Sequence, residues 1–122
     1  MVFNPSRYEA TAHSVLRLEK RFIREYEWRK VTNREPDLLR IMERDGIKSR
    51  ETAIQRFLEE AAQQGRVLID YRQHRYIIYE DMLLSCVKRG FVFKIKTVMV
   101  WDKQREQSMQ LLINAIDRIL HH

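Results

Sequence analysis

The sequence predicts a single α+β domain, mainly helical, with a small antiparallel sheet and long N- and C-terminal helices. Three patterns carry that reading. Between Leu38 and Tyr79 two helical apolar patterns, the second closed by a glycine, are followed by two short alternating runs. Residues 91–101 alternate over their whole length, and from Asp102 onward apolar residues recur every three or four positions. With 122 residues, of which 44% are hydrophobic, the chain suits one compact domain spanning 1–122. Three glycines, two prolines and no repeat or low-complexity stretch leave few places for a domain boundary.

At the N-terminus, Asn4-Pro5 reads as a cap followed by proline at the first helical position, with Ser6 and Glu9 as a competing capping box. The long helix that follows has Val15, Leu18, Phe22 and Tyr26 as its apolar stripe, widened by Leu16, Ile23 and Trp28. Arg17, Lys20, Arg21, Arg24, Glu25, Arg29 and Lys30 make its solvated face. Val31 to Glu35 breaks the helix, because a residue before proline is pushed out of the helical region. A second helix follows Pro36, with Leu38, Leu39, Ile41 and Met42 as its apolar face and Asp45-Gly46 as its stop. Ser49 caps a third, in which Ile54, Phe57, Leu58 and Ala61 fall at i, i+3, i+4 and i+7, and which ends at Gln64-Gly65. Val67, Ile69 and Tyr71 then alternate with Leu68 and Asp70. A turn at Arg72-Gln73-His74 returns the chain through Tyr76 to Tyr79 as a hairpin.

Beyond the hairpin, Glu80 to Arg89 reads as a helix closed by Gly90, with Met82, Leu83, Leu84, Cys86 and Val87 in its core. The lone Cys86 excludes an internal disulfide and reads as a core thiol. Phe91, Phe93, Ile95, Thr97, Met99 and Trp101 share one face of the next strand, with Lys94 and Lys96 on the other. Met109, Leu112, Ile116 and Ile119, flanked by Ile113 and Leu120, make 102–122 a terminal packing or dimerisation helix.

The run from Ser49 to Val67, a small-residue cap, an amphipathic helix, Gly65 and a β-branched strand, resembles the recognition helix and first wing strand of bacterial winged helix-turn-helix regulators. The resemblance covers about a third of the chain and is to a superfamily. It implies double-stranded DNA binding and transcriptional regulation. With the apolar face inward, Ser49, Thr52, Gln55 and Arg56 would meet the major groove, and Lys48 and Arg50 the phosphates. Arg72, Gln73, His74 and Arg75 at the hairpin would lie against the backbone or the minor groove. Glu59 and Glu60 restrict entry to the N-terminal end of the helix.

The charge agrees with an acidic partner. The formal net charge is +6, from 23 basic and 17 acidic residues. Lys88, Arg89, Lys94 and Lys96 lie in a stretch without an acid and form a secondary basic patch. The rival readings are a protein adaptor using strand 91–101 and the terminal helix, and an RNA-binding module stacking bases on Tyr71, Tyr76 and Tyr79.

No catalytic residue, metal ligand or cofactor is expected. His13, His74, His121 and His122 are scattered, and the chain has no Cys-x-x-Cys pair, glycine-rich phosphate loop or nucleophile elbow. A metal-dependent nuclease on Asp70, Glu80 or Asp81 beside Lys94 or Lys96 is the nearest enzymatic idea. The helical reading of 80–89 makes Glu80 and Asp81 ordinary first-turn acids. No apolar run approaches the ~20 residues of a membrane span, and no signal-peptide core stands at the N-terminus, so a cytoplasmic protein without membrane contact is expected.

Overall fold

In the computed structural model, residues 6–120 are described. The element order is β1 (Arg7–Ala10), α1 (Ala12–Glu19), a π-helical turn (Lys20–Arg24), α2 (Tyr26–Arg29), α3 (Glu35–Asp45), α4 (Arg50–Gln64), β2 (Arg66–Tyr71), β3 (His74–Tyr79), β4 (Met82–Arg89), β5 (Val92–Val100) and α5 (Lys103–Leu120). The strands form one mixed sheet in the order β1-β5-β4-β3-β2, antiparallel except for the parallel pairing of β1 with β5. The fold is thus α+β, but its sheet is larger than the small antiparallel one expected from the sequence.

Elements with a strong period and a cap lie where the sequence puts them. Gly46 closes α3 in the left-handed region (φ 64°), and the Ser49 side chain accepts from the Thr52 amide at 3.2 Å to start α4. Ile54, Phe57, Leu58 and Ala61 are all buried. They pack with Leu18, Phe22 and Leu38 against Ile77, Leu84, Ile95 and Val98 on one face of the sheet. Burying each of the larger of these side chains contributes about 1.5–3 kcal/mol. The opposite face carries a smaller cluster of Ile78, Leu83 and Trp101.

Three expectations are corrected. The long N-terminal helix does not form. Its Asn4-Pro5 start lies outside the described residues, and Ser6 with Glu9 makes no cap. Instead Tyr8 stacks on Phe93 (5.7 Å between ring centroids) as β1 joins β5. The capping box belongs to Thr11 and Ser14, and the helix is broken after Glu19 by the π turn and closed by Lys30 at φ 57°. Second, the expected helix Glu80 to Arg89 is a turn at Glu80-Asp81, with Glu80 at φ 52°, leading into strand β4. Its apolar run suits a central strand buried on both faces as well as it suits a helix. Third, β5 does not keep one face throughout. Ser85 pairs with Thr97 and Cys86 with Ile95, leaving Lys96 in a bulge. Phe93 and Ile95 therefore join the main core, whereas Met99 and Trp101 belong to the smaller cluster.

Arg34 ties the helical layer to the sheet. Its side chain is 2% exposed and reaches Asp37 (3.4 Å), Glu80 (3.1 Å) and Asp81 (2.9 Å), with the guanidinium over Phe57 and Tyr79. Burial opposes its charge, but Glu80 and Asp81 outweigh that and raise its pKa. Asp81 also accepts the Thr32 amide at 2.7 Å, and its carbonyl accepts the Trp101 amide at 2.8 Å.

Arg34→Ala removes a buried guanidinium but leaves carboxylates that reach solvent, so it is expected to lower the unfolding free energy by about 1–3 kcal/mol in urea denaturation. Arg34→Lys should recover only part of it, because a point charge cannot serve carboxylates on three sides. A loss below 1 kcal/mol for the alanine variant would contradict this assignment. At the α4–β2 junction, a Cβ on Gly65 would lie 2.5 Å from Ile77 Cγ2 and 2.7 Å from the Ile78 carbonyl oxygen. Gly65→Ala should cost about 1–3 kcal/mol from overpacking. At Gly46 nothing lies within 4 Å, so only its backbone strain opposes Gly46→Ala, about 1 kcal/mol. A Gly65→Ala variant as stable as the wild type would contradict the steric account of Gly65.

Candidate nucleic-acid interface

The residues singled out by the sequence fall in different surroundings. On α4, Ser49 is occupied as the cap, Lys48 and Thr52 are exposed, and Gln55 is half-buried. Arg50 is held by Glu35 at 2.6 Å and Glu19 at 3.2 Å, and Arg56 by Asp45 at 3.0 Å. Arg50 lowers the Glu35 pKa through their hydrogen bond, and Arg44, then Arg56, lower that of Asp45. Carboxyl groups with depressed pKa values stabilise the fold above their unfolded range, near pH 4, and lose that contribution as pH falls through the folded value. At neutral pH the α4 arginines therefore stay neutralised.

At the hairpin the outcome is split. Arg75 alternates with Ile77 and Tyr79 and so turns under the sheet. It pairs with Asp70 at 2.9 Å, donates to Tyr8 Oη at 2.8 Å and Ser6 Oγ at 2.9 Å, and lies over Phe93. Arg72, Gln73 and His74 remain exposed at the turn, where Arg72 has φ 56° and rests on the Tyr71 ring at 5.2 Å.

The sheet register places a second turn beside this one. His74 pairs with Val87, and the Lys88 amide donates to the Gln73 carbonyl at 2.7 Å. Lys88 and Arg89 thereby join Arg72 and His74 at one end of the sheet. Gly90, at φ 64°, reverses the chain there and leaves Phe91 96% exposed, while Tyr71 is 49% exposed. Among the described residues, no carboxylate pairs with Arg72, Lys88 or Arg89. The nearby acids are engaged: Asp70 with Arg75, and Glu9 with Lys94 and Arg7. The tip thus combines three free cations, a histidine and two exposed aromatic rings. Phe91 is the feature that sequence reasoning missed, because a strand assignment running through it hides the turn signal of Arg89-Gly90.

The other members of the secondary basic patch lie apart from the tip. Lys94 is held by Glu9, and Lys96 is the exposed bulge residue. Lys96 borders a second cationic surface. β1 ends opposite Ile95, and beyond it the outer edge of β5 is capped by side chains. Thr11 Oγ1 donates to the Ile95 carbonyl at 2.7 Å, Arg21 to that of Val98 at 2.6 Å, and Arg105 to that of Val100 at 2.9 Å. Burial first, and then the charges of Arg17 and Arg29, lower the Arg21 pKa. Arg17 donates to His13 Nε2 at 3.3 Å. Here two of the arginines are engaged in capping the sheet edge.

The carboxylates considered for a metal-dependent nuclease are engaged in ion pairs. Asp70 pairs with Arg75, and Glu80 and Asp81 pair with Arg34. Among the described residues no three His, Cys, Asp or Glu side chains gather as a metal site. Of the tyrosines weighed for base stacking, Tyr79 packs edge-on against Phe57 and Tyr76 lines the groove under α5. His121 and His122 lie outside the described residues. No helix among the described residues is long and apolar enough to cross a membrane.

Cys86 is 1% exposed, and burial pushes its thiol up to about 12. The native protein should therefore leave it unmodified by a thiol reagent such as DTNB at pH 8, with full reaction after denaturation. Rapid native labelling would contradict its burial. In comparisons with protein-family models, curated proteins and solved structures, nothing matches this chain.

Proposed function

We propose that this protein binds nucleic acid, with the sheet tip formed by the β2–β3 and β4–β5 turns as its contact surface. The single observation that carries the reading is that Arg72, Lys88 and Arg89 converge there without carboxylate partners, beside the exposed rings of Tyr71 and Phe91. Free guanidinium and ammonium groups bind phosphates and release counterions, and an exposed ring offers a face to a base or an edge to a groove. The order α3, α4, β2, β3 is compatible with the winged helix-turn-helix resemblance, and the reading rests on the hairpin part of it. Helix α4 contributes less, because Arg50 and Arg56 would have to break ion pairs with Glu19, Glu35 and Asp45 before meeting phosphate.

Fluorescence anisotropy with mixed-sequence duplex DNA and with single-stranded DNA and RNA, at 50 and 200 mM salt, tests the proposal. Three phosphate contacts predict a loss of about 40-fold in duplex affinity between those salts, and about 20-fold for a single strand. An Arg72→Glu/Lys88→Glu variant should lose at least about tenfold at low salt. Phe91→Ala should weaken single-strand binding more than duplex binding if the ring stacks on bases. Arg56→Ala should leave affinity within about twofold of wild type. Absence of binding at low salt, or a loss at Arg56 with none at the tip, would overturn it.

A further inference from the structure

The helical layer covers the sheet face of Ile77, Leu84 and Ile95. The opposite face is covered by α5 at one end, where Met109 packs on Ile78, Leu83 and Trp101 and Glu106 pairs with Arg66 at 2.5 Å. Toward the tip the same face is open. Tyr71, His74, Arg89 and Arg7 are exposed there, and Val87, Val92 and Lys94 are half-buried.

The strand registers lay out what this open half presents. His74 shares its strand face with Tyr76 and Ile78, and one row of paired residues, Tyr71, His74, Val87, Lys94 and Glu9, crosses all five strands. The next row toward the tip is Arg89, Val92 and Arg7. The ion pair of Lys94 with Glu9 agrees with this assignment, as does Arg75, which the alternation sends to the other face with Tyr8 and Phe93.

The surface is cationic. Arg7, whose side chain is 74% exposed, Arg89 and Lys94 share it with one carboxylate among the described residues, Glu9, which Lys94 and Arg7 neutralise. It also carries two exposed rings side by side, because Tyr71 and His74 are directly opposed across β2 and β3. Its sparse apolar content suits a polyanion better than the apolar centre of a protein interface. A duplex keeps its bases stacked on one another and would meet this face with phosphates alone, whereas a single strand brings bases and phosphates together.

We infer that the ligand is a single-stranded nucleic acid lying across the open face of the sheet, its bases stacked on Tyr71 and His74 and its phosphates running toward Arg89 and Arg7. The inference rests on the proposed contact at the tip and extends it, since Arg89 belongs to both surfaces. From β2 to β1 the strand would cross four strand spacings, about 19 Å.

Fluorescence anisotropy on the full chain, with a mixed-sequence single strand of about 12 nucleotides and the duplex of the same length at 50 mM salt, tests it. The single strand should bind at least about tenfold more tightly than the duplex. Tyr71→Ala should weaken single-strand binding at least about fivefold and leave duplex binding within about twofold, while Tyr71→Trp retains the single-strand affinity. Arg7→Glu, at the far side of the sheet from Tyr71 and outside both turns, should weaken single-strand binding about threefold or more. Both positions are exposed, so the unfolding midpoints should stay at the wild-type value. A strand carrying 5-bromouracil should cross-link on irradiation to the peptide containing Tyr71 and His74. Equal affinity for the two forms, with Tyr71→Ala and Arg7→Glu both silent, would overturn this inference and leave the contact at the tip standing. Absence of all binding at low salt would overturn both.

Discussion

The buried guanidinium of Arg34 is the constraint around which the two layers are assembled. It stands at the start of α3, yet its partners Glu80 and Asp81 form the β3–β4 turn, so helix and sheet cannot separate without breaking these ion pairs. The same turn requires Glu80 to adopt a left-handed conformation that costs a residue with a Cβ of order 1 kcal/mol. Attraction to Arg34 offsets that cost. Because the Asp81 carbonyl also receives the Trp101 amide, the end of β5 and the departure of α5 are referred to this cluster. Phe57 and Tyr79 complete it by flanking the cation with aromatic faces.

A second organising feature is the division of charge. The acids of the helical layer meet its arginines: Glu19 and Glu35 hold Arg50, and Asp45 and Glu60 hold Arg44. The excess of positive charge in the sequence is therefore expressed elsewhere, at the sheet tip and along the outer edge of β5. A basic composition alone would have placed it on α4, the helix whose pattern most resembles a recognition helix. Ion pairing decides otherwise, since an arginine with a carboxylate at 2.6–3.2 Å offers little net charge to a polyanion.

What was legible in the sequence was local. α3 and α4 announce themselves by period and by the caps Ser49 and Gly46, and α5 by its stripe. β4 was not legible, because six consecutive residues from Met82 to Val87 with little polar interruption satisfy a buried strand and a buried helix equally. β1 was hidden for a different reason: four residues have too little pattern to compete with a proline-capped helix, and their strand character comes from Phe93 and Ile95, far along the chain. The same limit applies to the tip. Arg72 and Lys88 are each visible as basic residues near turns, but their adjacency is a property of the β3–β4 register. Arg75, by contrast, could have been assigned inward from parity, since it shares its strand face with the core residue Ile77.

The parallel pairing of β1 with β5 also bears on how the chain acquires its structure. Residues 7–10 precede the other described strands in sequence, yet their hydrogen-bonding partners at 92–95 come some 85 residues later. The α3–α4 pair and the hairpin β2–β3 have their contacts close in sequence and can organise during synthesis. The β1 segment can dock on α4, where the Ala10 amide donates to Glu59, but it cannot complete the sheet until β5 is present. The parallel β1–β5 pair is thus the most non-local pairing of the sheet, a contact whose loop-closure entropy is the largest any of its strands must overcome.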